Sequence, residues 1–372
     1  MIEQLEIKNF RGFSEYKIED VGRVNLLVGT NNCGKTSVLE AIQLIKSKGN
    51  LSVFFSLFEN RGEKKQNEEH TNTGYEADLS RIFHQFNIDL KSYFSIKTFS
   101  KKYHDLLSVV IEDDSVLHPY LHEDIYAYNH QHITIRWNNT ENKEKKIDYP
   151  ISKSGGLLPY NDDKLPFYYR RILHFSGNRE NDVKVQFVPS SSLSPKKIAA
   201  MFDKIVLTSD EDIVIDALQI IEPDIIRLAS CREVSFDDYV RGGILVKSTK
   251  WENPVPIGSF GDGIWRLLGL ILSLISAKNG TLLIDEIDTG LHHTVMSKMW
   301  KLICTTARKL NVQVFATTHC SDCWKTLADN AAEDEFAGMP IRIHRIDKNK
   351  KKPETFTNQE MHLALIREIE VR

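Results

Sequence analysis

An α/β fold with a mixed sheet, an antiparallel β flank and an inserted helical lobe is the architecture that this sequence predicts. Three observations predict it. Val24–Val28 is a continuous apolar-rich run that ends at Gly29 and is followed by apolar residues at helical spacing, the pattern of a buried strand, a turn and a helix. Two further buried-strand patterns, Thr281–Ile284 and 312–317, come late in the chain. Between them the texture changes twice, to short antiparallel strands within 49–175 and to helical faces within 193–230.

Taken in order, residues 2–10 alternate apolar and polar around Ile2, Leu5, Ile7 and Phe10, which predicts a short strand. Residues 36–46 carry Val38, Leu39, Ala41, Ile42 and Ile45 on one helical face. The polar stretch 59–74 reads as a loop, 94–98, 106–111 and 133–137 as antiparallel strands, and 138–146 as a charged linker or hairpin tip. Sustained heptads are missing, which excludes a long coiled coil. Ser194 followed by Pro195 is an N-cap with proline at the first helical position, and 195–206 and 210–221 each show a helical face. A helix over 263–276, strands over 312–317 and 341–346 and an amphipathic helix over 359–368 complete the reading. The expected organisation is the N-terminal part of an α/β lobe (1–48), a β flank with insertion (49–175), a helical lobe (176–235) and the C-terminal part of the α/β lobe (236–372).

Composition narrows the function classes. In 372 residues, 41% hydrophobic and 27% charged are ordinary values for a folded soluble chain, and a net charge of −3 does not mark a globally basic nucleic-acid binder. The longest near-apolar run, 267–277, is too short for a bilayer, and Met1-Ile2-Glu3-Gln4 leads into a strand without a basic n-region. The expectation is a cytoplasmic protein without membrane contact. Five cysteines are no disulfide framework, and Cys320-x-x-Cys323, with no second CxxC or His pair nearby, reads as two unpaired thiols at a strand-to-helix junction.

Four motifs carry chemistry. Gly29-Thr30-Asn31-Asn32-Cys33-Gly34-Lys35-Thr36 fits G-x-x-x-x-G-K-[ST] with a strand before it and a helix after it. Its glycines let backbone N–H groups turn inward around phosphates, and the helix N-terminus adds partial positive charge. Asn31, Asn32, Cys33, Gly34, Lys35, Thr36 and Ser37 are thus the candidate cofactor-binding residues, Lys35 facing the β and γ phosphates of ATP and Thr36 ligating Mg2+. Thr281–Ile284 then ends in Asp285-Glu286, where Asp285 would hold Mg2+ and Glu286 would orient and deprotonate the attacking water. Ser259, Gly261 and Gly263 open a helix and make a second anion site, which one chain needs only if it serves the nucleotide of another subunit. Last, Ala316-Thr317-Thr318-His319 delivers a histidine from a strand end, as expected of a γ-phosphate sensor.

The order of phosphate loop, serine-glycine signature, Asp-Glu strand and histidine resembles the ABC ATPase heads of the RecF, SMC and OLD group. More narrowly, the chain is similar to bacterial stand-alone OLD-like AAA ATPases. Asn9-Phe10-Arg11-Gly12-Phe13, Phe187-Val188-Pro189-Ser190, Gly258 through Gly263, Ala316 through His319 and Ile369-Glu370-Val371-Arg372 carry that resemblance. It implies a P-loop NTPase of ABC-head type, Arg11 near the nucleotide, Asp288-Thr289-Gly290-Leu291-His292 as a D-loop across a subunit interface, His319 as the switch histidine and Gln186 near the Q-loop. The signature departs from the transporter Leu-Ser-Gly-Gly-Gln at Phe260 and Asp262, which argues against a transporter motor. The residues after His319 hold no Asp-x-Asp pair, so no TOPRIM nuclease is expected.

The resemblance further implies an ATP-dependent homodimer or higher oligomer and a separately encoded effector, often a nuclease, as in two-gene phage-defence systems. The alternative is a RecF-like clamp that binds DNA, for which Lys101-Lys102, Lys143 with Lys145-Lys146, Arg170-Arg171 and Lys196-Lys197 are the basic candidates. Missing Asn-Lys-x-Asp argues against a GTPase.

Overall fold

A computed structural model of the chain describes residues 1–66, 75–86, 88–113, 128–158, 184–231 and 243–372. It divides into two compact units: Met1–Val21, Thr36–Val183 and Asp347–Pro353 form the first; Gly22–Lys35, Lys184–Ile346 and Glu354–Arg372 form the second. The expected segment 49–175 falls inside the first unit, whereas 1–48 is shared by both, the division running between Lys35 and Thr36.

The first unit is built on an antiparallel sheet. Its strands are β1 (Gln4–Phe10), β2 (Phe13–Ile18), β6 (Tyr93–Phe99), β7 (His104–Asp113), β8 (Tyr128–Asn139) and β9 (Glu144–Ser152), in the order β2-β1-β6-β7-β8-β9. Period-2 burial in β6 and β7 puts Phe94, Ile96, Leu107, Val109 and Ile111 on the core face. Helix α1 (Lys35–Lys46) continues from the phosphate loop, and α2 (Leu51–Arg61) buries Phe54, Phe55 and Phe58. The ring of Phe55 meets Tyr149 edge-on at 5.4 Å between centroids.

Helix α2 was not expected, yet its ends follow ordinary capping rules. Asn50 accepts from the Ser52 N–H at one end, and Gly62 closes the other in the left-handed region. The loop expected over 59–74 is therefore helix to Arg61, followed by the strand pair β4 (Lys64–Gln66) and β5 (Tyr75–Ala77); 67–74 lie outside the described residues. The expected tip 138–146 is the β8–β9 hairpin.

The second unit holds the sheet that positions the candidate site. Strands β10 (Val185–Val188), β14 (Thr281–Ile284), β15 (Gln313–Thr317), β3 (Val24–Val28) and β16 (Ile341–Arg345) are parallel, and β17 (Glu354–Phe356) adds an antiparallel edge. Every residue of β3, β14 and β15 is buried, which accounts for their unbroken apolar patterns. The reading of 193–230 as helical holds for α3 (Pro195–Phe202) and α4 (Ser209–Gln219) only. Beyond Pro223, β11 (Ile225–Ser230) pairs with β12 (Ile244–Ser248) and β12 with β13 (Val255–Pro256). Its β-branched start at Ile225-Ile226 suits a strand better than a helix.

Helix α5 (Asp262–Ser276) is nearly all buried, and α6 (His293–Lys309), α7 (Ser321–Ala331) and α8 (Asn358–Ile366) complete the unit. The cysteines at 33, 231, 304, 320 and 323 are thiols. Cys320 caps α7 and Cys323 is buried just inside it, the expected strand-to-helix junction. No helix among the described residues is long and apolar enough to cross a membrane.

Candidate functional site

Strand order assembles the site of the second unit. In the sequence β10-β14-β15-β3, one strand separates the carboxylate strand from the phosphate-loop strand, and that strand is β15. All four are parallel, so their C-terminal ends open on one edge. The edge presents Gly29 through Lys35 after β3, Asp285 and Glu286 after β14, and His319 just past β15. His319 therefore emerges between the other two groups, with Nδ1 4.0 Å from Glu286 Oε1. Both side chains are about half exposed (54% and 43%), open to a ligand.

The phosphate loop has the backbone that its glycines require. Gly29 has φ 139° and Gly34 φ 106°, and Asn32 also lies in the left-handed region at φ 60°. A Cβ on Gly29 would come within 2.7 Å of the Ile346 carbonyl, so space as well as conformation demands glycine there. The Lys35 ammonium donates to the Gly29 and Thr30 carbonyls at 2.8 and 2.9 Å, which holds it over its own loop. Cys33 is buried, with Sγ 4.0 Å from that ammonium. Asn31 and Asn32 are exposed on the loop.

The carboxylate turn is held from two sides. From β15, the Thr317 hydroxyl donates to Asp285 Oδ1 at 2.7 Å and accepts the Glu286 N–H at 2.8 Å. The next hydroxyl, Thr318, donates to Asp288 Oδ1 at 2.6 Å. From α5, Arg266 donates to the carbonyls of Asp285 (2.8 Å) and Glu286 (3.0 Å) and to Pro189 at the end of β10 (2.5 Å). Burial pushes this guanidinium down to about 10, opposed by Asp285, Asp288 and Glu286, so it stays charged at neutral pH. Glu286 itself sits at φ 49°, a left-handed conformation that costs a non-glycine residue about 1 kcal/mol or more.

Sequence reasoning passed over Arg266, Thr317 and Thr318 as supports. A lone arginine inside an otherwise apolar helix and two threonines closing a buried strand were the available signals. Valine at 317 keeps the shape but leaves the partly buried Glu286 N–H without its acceptor and Asp285 without its donor. Thr317→Val is expected to cost about 1–3 kcal/mol in urea unfolding, and Thr317→Ser to recover most of it. A valine variant as stable as wild type would contradict that support.

The serine-glycine signature forms a 3-10 turn, with Ser259 exposed in it and Gly261, at φ 89°, as the residue before α5. The chain after Glu286 passes close by: a Cβ on Gly263 would lie 3.1 Å from the Gly290 carbonyl, so glycine at 263 permits this approach of the Asp288–Gly290 turn. A cavity of about 520 Å³ lies between Ser190–Ser192, Arg266 and Thr289-Gly290. Gln186 lies within β10 opposite Leu282, about 10 Å short of the strand end where Asp285 begins. Beyond α7, the guanidinium of Arg372 donates to the His319 carbonyl at 2.8 Å, so the Ile369-to-Arg372 tail secures the histidine's backbone.

The remaining candidates belong to the first unit. Thr36 and Ser37 begin α1 directly after Lys35. Ser37 Oγ accepts from Arg61 at 3.3 Å, and Arg61 also pairs with Glu40 at 2.7 Å. Arg11 is buried, at φ 50°, with Nε 2.6 Å from Glu40 and a terminal nitrogen 2.8 Å from Glu63. Its charge is thus engaged by two carboxylates of its own unit. Of the basic candidates, Lys101-Lys102 and Lys143 to Lys146 lie in the first unit and Lys196-Lys197 in the second; Arg170-Arg171 lie outside the described residues.

The chain is similar to known proteins over most of its length. The model of the AAA_15 family, AAA ATPase domain, matches residues 1–323. An ATP/GTP phosphatase of Helicobacter pylori is 24% identical over 356 residues, covering 91% of this chain and 90% of that protein. A DNA double-strand break repair Rad50 ATPase of Archaeoglobus fulgidus is 50% identical over 42 residues, 11% of this chain and 5% of that one. Among solved structures, the Smc head domain with an extended coiled coil bound to the C-terminal domain of ScpA, from Pyrococcus furiosus, aligns with a TM-score of 0.48 at 12% identity, covering 99% of each chain.

Proposed function

This chain belongs to the AAA_15 family of AAA ATPase domains, and from that premise we propose that it is a Mg2+-dependent ATPase whose bound ATP closes two chains head to tail. The observation that carries the reading is the strand order, in which β15 brings His319 between the Lys35 loop and the Asp285-Glu286 turn. The residues suit the nucleotide and the ion: a glycine-opened loop with its lysine folded over it, a hydroxyl at Thr36, and a carboxylate at Asp285 oriented by Thr317. Lys35 would bind the β and γ phosphates, while Thr36 and Asp285 would hold Mg2+, which draws charge from the phosphate oxygens when bound. Glu286 would orient the water and take its proton, and His319 would face the γ-phosphate. Asn31, Asn32, Cys33, Gly34 and Ser37 would supply loop contacts.

Ser259, Gly261 and Gly263, with Asp288 nearby, would receive the partner chain's nucleotide at the open end of α5. Such a dimer is a switch: ATP closes it, hydrolysis opens it, and a separately encoded effector such as a nuclease reads the state, with phage defence as its setting. The resemblance to stand-alone OLD-like ATPases suggests the effector, and the exposed Ser259 turn is the surface that a second chain would meet.

The test is a mixture. Lys35→Ala and Ser259→Arg chains are each expected to be nearly inactive alone. Mixed one to one, they should recover up to about a quarter of wild-type hydrolysis, because half of the pairs are mixed and each of those holds one intact composite site. No recovery, together with a monomer by light scattering in saturating ATP, would sink the head-to-tail reading.

A further inference from the structure

On the β flank of the first unit, away from the nucleotide motifs in sequence, three neighbouring strands bring metal-ligating side chains together. In the antiparallel register Glu112 of β7 faces His132 of β8, and Asp148 of β9 faces Thr134 of β8. His132 and Thr134, two residues apart, share one face of β8, so all four side chains converge. His132 Nε2 lies 3.8 Å from Glu112 Oε2 and 3.9 Å from Asp148 Oδ1, and one ligand atom from each of the three residues lies within 4.8 Å of the other two. The histidine is buried (1%), while the carboxylates are 31% and 26% exposed, leaving a way in from solvent.

Two details distinguish this cluster from a solvated acidic face. Both carboxylates are held from outside: Arg136 donates to Glu112 Oε1 at 2.8 Å and to Oε2 at 3.0 Å, and Lys146 lies 3.0 Å from Asp148 Oδ2. The carboxylates are thereby fixed beside His132, the role that outer groups play around metal ligands. Second, Thr134 Oγ1 lies 2.7 Å from Glu112 Oε2 and 2.8 Å from Asp148 Oδ1. The hydroxyl can give its one proton to only one of them, and it ties both carboxylates to one point beside His132.

We propose that Glu112, His132 and Asp148 form a binding site for a divalent first-row transition ion of the zinc class. An imidazole with two carboxylates suits such an ion better than Mg2+ or Ca2+, which take oxygen ligands. Bonds of about 2.1 Å at a tetrahedral angle put ligand atoms roughly 3.4 Å apart, so the 3.8 and 3.9 Å separations need to close by only about half an ångström.

The test uses the full chain stripped with a chelator, titrated with Zn2+ in excess Mg2+, and assayed for retained zinc after gel filtration. Wild type is expected to keep about one Zn2+ per chain, and His132→Gln and Asp148→Asn to weaken binding by more than about tenfold. Asp285→Asn, which alters the nucleotide site, should leave zinc binding as in wild type, and Asp148→Asn should leave ATP hydrolysis unchanged. Asp148→Asn preserves shape at a partly exposed position, so it decides the matter alone if His132→Gln does not fold. Wild-type protein that retains no zinc, or Asp148→Asn protein that binds it as wild type does, would overturn the site; in either case the ATPase reading stands or falls separately.

Discussion

Glu286→Gln is expected to lower kcat for ATP hydrolysis by about a hundredfold to a thousandfold while leaving ATP affinity nearly unchanged. Glutamine keeps the length of the side chain and the turn that Thr317 and Arg266 hold, so the geometry survives while the base is lost. Lys35→Ala should act at the earlier step. Removing a charge-assisted contact to the phosphates is worth about 3 kcal/mol, roughly a hundredfold in ATP affinity, and hydrolysis fails with it. Fluorescent-nucleotide binding and single-turnover hydrolysis separate the two effects. If Glu286→Gln hydrolyses ATP at the wild-type rate, the water is activated by another group.

The second large effect is expected at Arg266. Its guanidinium is buried, and it joins the ends of β10 and β14 through the carbonyls of Pro189, Asp285 and Glu286. Leucine would fit the apolar helix but would remove the side-chain donor from all three carbonyls, leaving Pro189 and Glu286 to the N–H groups of Ser192 and Thr289. Arg266→Leu is expected to cost about 3–5 kcal/mol, read from the urea midpoint. Arg266→Lys should recover only part of this, because one ammonium cannot reproduce a planar fork spanning three carbonyls. Unchanged stability in the leucine variant would show that the turn is held by Thr317 alone.

Much of the second unit was legible in the sequence because its signals are local. Val24–Val28 and Thr281–Ile284 match the structure residue for residue, since a strand buried on both faces shows as an unbroken apolar run. The loop from Gly29 to Lys35 was legible because its chemistry demands fixed spacing. What was missed depends on partners distant in the chain. β2 and β9 announce themselves only through pairing with β1 and β8. Arg266 is defined by carbonyls some twenty residues on and some seventy-seven residues back. The convergence of Glu112, His132 and Asp148 follows from the register of three strands, which no single stretch displays. Helix α2 is different: Asn50 and Gly62 were readable as its two ends and were overlooked.

Glu286 occupies a backbone conformation in which glycine would be more comfortable. A screen for thermal stability alone would therefore favour Glu286→Gly, and such a variant would melt higher while hydrolysing nothing. Stability and the proposed role in hydrolysis thus ask for different residues at one position, and the melting temperature and ATPase rate of Glu286→Gly are expected to move in opposite directions.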